Sequence, residues 1–126
     1  MLCMHNIYKT TLHHQRMQAQ RIKYLQDEIE NFPDDPFNHY ALALEYISAG
    51  DLRAEEIFRH LLKEFPDYLP TYYKAANYFF DRDLWEEAEA IFIKGIALAE
   101  AQGNEKAHRE LNSSYALFKT ETQDDF

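Results

Sequence analysis

The sequence is poor in the residues that break or staple a chain. Three glycines and four prolines are spread over 126 residues, too few for a collagen-like, linker-like or low-complexity chain. One cysteine, Cys3, leaves no internal disulfide, which fits a reducing compartment. No apolar run approaches the about 18 residues that a membrane span needs. No apolar stretch followed by a small-residue cleavage site marks a secretory signal at the start. Together these absences give the expectation of a cytoplasmic chain whose core is held by packing alone.

Acidic residues are missing from one part of the chain only. Residues 1–26 contain Lys9, Arg16, Arg21 and Lys23 and no Asp or Glu. Against a net charge of −9, the remainder therefore carries −13. A body of that sign repels phosphate backbones, so neither nucleic acid nor a membrane is an expected partner. The basic stretch 1–16 has weak periodicity and no clear cap. It is expected to be a flexible or partly helical arm, solvated or touching an acidic partner.

Apolar residues are plentiful, at 46%, enough for one domain with a continuous core. The central stretch runs from Gly50 to Pro66. In it Ala54, Phe58, Leu61 and Phe65 fall at i, i+4, i+7 and i+11, one face of a helix. Asp51 is placed to cap that helix and Pro66 to stop it. Thirty-four residues on, the pattern returns: Ala54 meets Ala88, Glu55 meets Glu89, Ile57 meets Ile91, Phe58 meets Phe92 and Leu61 meets Gly95. That is the period of a helix–turn–helix repeat. Around it the pattern predicts a helix over 17–31, with Ile22, Leu25, Ile29 and Phe32 on one side. A second follows Asp35-Pro36 to about Ala49, and a fourth runs from Pro70 to about Arg82. The run Asp83-Leu84-Trp85-Glu86 has the form of a capping box for a fifth helix. Asn104 caps a last one to about Lys119, and 120–126 reads as a polar tail. There is no strand candidate.

These residues resemble the tetratricopeptide repeat family. Leu42-Ala43 and Tyr46, then Ala54, Phe58 and Pro66, supply one unit. Tyr72, Ala75-Ala76, Phe79, Trp85, Ala88, Phe92 and Gly95 supply the next. His39 departs from the large aromatic that the family prefers. The resemblance implies an all-α fold, a short right-handed α-solenoid of antiparallel helix pairs. Its expected parts are a half repeat 17–33, repeat one 36–66, repeat two 70–101 and a capping helix 104–119. In such an array Ala43, Ala54, Ala76 and Ala88 are small where helices cross closely.

No residue set supports catalysis. The six histidines lack metal-ligand spacing, no Gly-rich phosphate loop is present, and no Ser or Cys has an implied base. A non-enzymatic chain with no cofactor and no metal is expected. The informative set is instead Tyr40, Leu44 and Ile47, repeated 33 residues on as Tyr73, Asn77 and Phe80. The resemblance puts that face in a concave groove where a peptide or helix of another protein docks. Lys74 and Asp81 flank it. The slots of the family's carboxylate clamp hold Tyr40, Leu44 and Lys74 instead, so an apolar or mildly basic segment is the expected ligand. Two alternatives stand beside this. The terminal helices could fold inward and bury the face as core, or the chain could self-assemble through its solenoid ends.

Overall fold

The computed structural model describes residues 2–123, with side chains from Lys9 onward. Among them every regular element is an α-helix: α1 Leu2–Asn31, α2 Pro36–Ser48, α3 Arg53–Glu64, α4 Pro70–Asp81, α5 Trp85–Ala101 and α6 Glu105–Gln123. Residues 124–126 of the expected polar tail lie outside the described part. The helices pack as two compact units, Met1–Ile57 and Phe58–Phe126.

In the first unit α1 packs on α2. The side of α1 withdrawn from solvent carries Gln18, Ile22, Leu25 and Ile29. Against it α2 buries His39, Leu42, Ala43 and Tyr46. Polar ties flank the apolar contact: Arg21 Nε lies 2.8 Å from Glu45 Oε1, and Gln26 Nε2 donates to the Tyr46 hydroxyl at 2.9 Å. The sequence pattern places the start of this helix at Met17, yet α1 runs through Met17 unbroken from Leu2. No Gly or Pro interrupts residues 2–16, and a helix once nucleated by its packed part propagates at little cost. Residues 9–17 of that extension are all exposed.

Asp35 caps α2 by accepting the Phe37 N–H at 3.0 Å, with Pro36 at the first helical position, where a missing N–H costs nothing. Asp51 accepts the Arg53 N–H at 2.9 Å and pairs with its guanidinium at 2.7 Å. The hydrogen bonds from Arg53 hold the Asp51 carboxyl below the usual carboxylate range. The same guanidinium lies 4.5 Å over the Tyr46 ring.

The second unit holds α4, α5 and α6. Thr71, Tyr72, Ala75, Ala76 and Phe79 of α4 are buried, with Ala88, Ile91, Phe92, Gly95 and Ala99 of α5. The closest approach is at Gly95, where an added Cβ would sit 2.6 Å from the Tyr72 Cβ. The small residues Ala43, Ala54, Ala76 and Ala88 are each fully buried.

Two features recur with a 33-residue offset. His39 Nε2 donates to the Pro33 carbonyl at 3.1 Å, and the Tyr72 hydroxyl donates to the Pro66 carbonyl at 2.6 Å. His39 thus makes, with a smaller ring, the bond that Tyr72 makes one unit later. Helix endings recur as well. After α2, the N–H groups of Gly50 and Asp51 bond back to Ile47 and Tyr46; after α4, those of Asp83 and Leu84 bond to Phe80 and Phe79. The residue past each cap is left-handed, Gly50 at φ 68 and Asp83 at φ 62, and Gly103 closes α5 in the same way.

Asp83 therefore does not cap α5. The capping-box reading is corrected: Leu84 stands at the cap position and its side chain makes no cap bond, because Asp83 is used to terminate α4. A non-glycine residue pays a steric penalty in that conformation. Asp83→Gly should stabilise the fold by about 0.5–1 kcal/mol, read as a higher denaturation midpoint at unchanged slope. Gly95→Ala should cost about 1–3 kcal/mol by overpacking the crossing at Tyr72. An unchanged midpoint for Gly95→Ala would contradict the close approach.

Candidate protein-interaction surface

The residues singled out from the sequence fall on two helices, one in each unit. On α2, Tyr40 and Leu44 are partly exposed and Ile47 is 39% exposed. Their spacing puts them on one side of the helix, offset from buried Leu42, Ala43 and Tyr46. On α4, Tyr73 is 38% exposed although five of its helix neighbours are buried. Lys74 and Asp81 are exposed on the same helix.

Asn77 and Phe80 have a different setting, because α6 packs against this part of α4. Asn77 Nδ2 donates to the Tyr73 carbonyl at 2.8 Å, and its Oδ1 accepts from Ser114 Oγ at 2.8 Å. The Phe80 ring meets Phe118 edge-on, with centroids 5.1 Å apart. Their polar and apolar capacity is thus taken up within the unit. These contacts leave Asn77 and Phe80 half-buried, while Tyr73 is exposed.

What Tyr73 opens onto comes from α6. Tyr73 lines a shallow cleft of about 520 Å³ with Arg109, Glu110, Ser113, Ser114 and Leu117. Leu117 is 56% exposed there. The α6 contribution was not among the expected site residues. A sequence signal for it exists: continuing the 33-residue offset past α4 brings Tyr73 to Lys106, Asn77 to Glu110 and Phe80 to Ser113.

The same offset shows that α6 lacks the buried marks of the two repeats. Leu42 and Ala75 are followed by His108, Ala43 and Ala76 by Arg109, and Tyr46 and Phe79 by Asn112. The first two members of each set are buried, whereas Arg109 and Asn112 are exposed and His108 partly so. On its other side α6 buries Leu111 and Phe118. Tyr115 stacks on Phe92 at 5.6 Å, and Phe118 lies 5.6 Å from the same ring. Burial raises the Tyr115 hydroxyl's pKa, with the Glu89 carboxylate as the second cause.

Among the described residues no three His, Cys, Asp or Glu side chains converge as metal ligands. No helix there is long and apolar enough to cross a membrane.

Six helices with matching marks at 33–34 residues define an all-α helical-repeat protein. Among the solved structures that match it are two of tetratricopeptide repeat domain proteins. The crystal structure of a tetratricopeptide repeat domain protein from Salinibacter ruber is 31% identical, covers 69% of this chain and 98% of that one, and has a TM-score of 0.66. A solution structure of a tetratricopeptide repeat domain protein from the same organism is also 31% identical, with 70% and 90% covered and a TM-score of 0.65. The chain belongs to the tetratricopeptide repeat family. No family model and no curated protein matches it.

If α6 is the covering element for Phe92 and Phe80, a chain stopped at Gly103 exposes both rings. Such a chain should aggregate or melt well below the full-length protein. A monomer with an unchanged melting curve would contradict the assignment.

Proposed function

We propose that the chain is a non-enzymatic protein-interaction module that binds a peptide or helix of another protein. Repeat folds of this kind present extended side-chain surfaces rather than a closed active site, and the cytoplasm is the expected setting. The observation that carries the reading is Tyr73, an aromatic left open beside Leu117 on a helix whose other aromatic residues are packed. An exposed ring with a polar tip offers large contact area at small entropic cost, which makes it the anchor.

In this reading Leu117 supplies the apolar floor beside the anchor, and Ser113 hydrogen-bonds the ligand backbone. Asn77 and Phe80 support the anchor from behind by fixing α4 to α6. Lys74 and Asp81 orient the bound segment, which is apolar or mildly basic. The face of α2 carrying Tyr40, Leu44 and Ile47 is a second contact surface of the same apolar character.

A photo-crosslinking residue at position 73 in the host captures the segment that lies on this cleft. Affinity for that segment, made as a synthetic peptide, is then measured for the wild-type chain and Tyr73→Ala. The substitution should weaken binding by about 1–3 kcal/mol, within the hot-spot range, with the melting temperature unchanged. A large loss of stability with no separate binding defect would make Tyr73 a packing residue and sink the reading.

A further inference from the structure

A second surface lies wholly in the first unit, on the side of α1 turned away from α2. His13, Arg16, Gln20, Lys23, Asp27 and Glu30 are all exposed. Their spacings alternate between three and four residues, so they form one straight stripe along the helix. The stripe is sorted by sign, with bases first and acids last. α1 has no acidic residue in its first turn and no basic residue in its last. That order runs against the helix's own dipole, which favours acids at the N-terminus and bases at the C-terminus. It therefore gains nothing from the dipole, and within the stripe only Lys23 and Asp27 stand as opposite charges at i, i+4. Nor does α2 use it: Arg21, the base that pairs with Glu45 of α2, lies outside the stripe.

The stripe complements itself when reversed. Against an antiparallel second copy, the register that sets Arg16 opposite Asp27 also sets His13 opposite Glu30 and Gln20 opposite Lys23. On one flank of the stripe it brings Tyr24, 62% exposed, near Met17, 44% exposed, of the other copy. Two-fold symmetry makes every pair occur twice, and the two helix dipoles then run antiparallel. We propose that this face of α1 docks on the same face of a second copy, forming a salt-sensitive antiparallel dimer. The contact has no aliphatic seam, so it is electrostatic and weak, with Tyr24 and Met17 as its large apolar residues at the flank. It shares no residue with the cleft at Tyr73 and stands independently of the binding role assigned there.

Sedimentation equilibrium on the full chain over a dilution series tests it, in low salt and in about 0.5 M salt, where screening leaves charges a reach of only a few ångströms. The wild-type chain should dimerise in low salt and dissociate in high salt. A chain that is monomeric throughout the series, or dimeric in both, overturns the proposal. Two charge-reversed variants sharpen the test: His13→Glu with Arg16→Glu, and Asp27→Lys with Glu30→Lys. All four positions are exposed, so far-UV circular dichroism should be unchanged. Each variant alone should be monomeric in low salt, and an equal mixture should recover the dimer, because each stripe then opposes its complement. A dimer formed by either variant alone, or a mixture that stays monomeric, overturns it. A low-salt monomer that instead sediments with anionic lipid vesicles also counts against a second copy as the occupant.

Discussion

Each repeat begins under one constraint: a ring six residues past the proline that closed the preceding helix is tied to that proline's carbonyl. Proline cannot continue the helix before it, and its carbonyl is free to accept a bond from the next helix. His39 satisfies Pro33 and Tyr72 satisfies Pro66, and both rings are buried. Burial of a ring whose polar tip must reach one particular acceptor fixes the direction in which the new helix leaves the turn. The apolar contacts that follow need that direction. Ala43 and Tyr46 can meet α1, and Tyr72 can meet Gly95, only when the first helix of the pair sets out along the same line each time.

Three of the helices end by a second device that uses no side chain at all. At the ends of α2, α4 and α5 two backbone N–H groups fold back on the last turn, satisfying carbonyls that a helix end leaves unpaired. This leaves the neighbouring side chains free for other work. Asp51 and Asn104 can then cap the next helix, Asn104 accepting the Ala107 N–H at 3.0 Å. Where Asp83 replaces glycine, the turn keeps its geometry and loses the cap, so α5 starts without a side-chain partner for its first N–H groups.

Much of this was legible in the sequence, because helices are set by periodicity and stop signals that act over a few residues. The repeat offset, the proline and glycine punctuation and the buried alanines all belong to that class. Three features were not legible, each for its own reason. Asp83 was assigned to the wrong helix because an acidic residue before an apolar run looks the same whether it caps forward or terminates backward; only φ distinguishes them. The start of α1 was placed at Met17 because residues 2–16 have little to pack against, and periodicity reports packing rather than helicity. The α6 share of the cleft was hidden because Arg109, Ser113 and Leu117 show no apolar period of their own. They gain meaning from Tyr73, which lies more than thirty residues earlier.

The polar side of α6 also says how the series could grow. Where α2 and α4 bury Leu42, Ala43, Tyr46 and Ala75, Ala76, Phe79, α6 carries a partly exposed His108 and an exposed Arg109 and Asn112. Those residues are soluble substitutes at positions whose backbone register is already that of another repeat. Length in this architecture is thus a local choice written at three adjacent sites rather than a property of the whole chain. A builder wishing to add a unit would change the lid, not the walls: an apolar residue, an alanine and an aromatic at 108, 109 and 112, with a new helix fused to cover them.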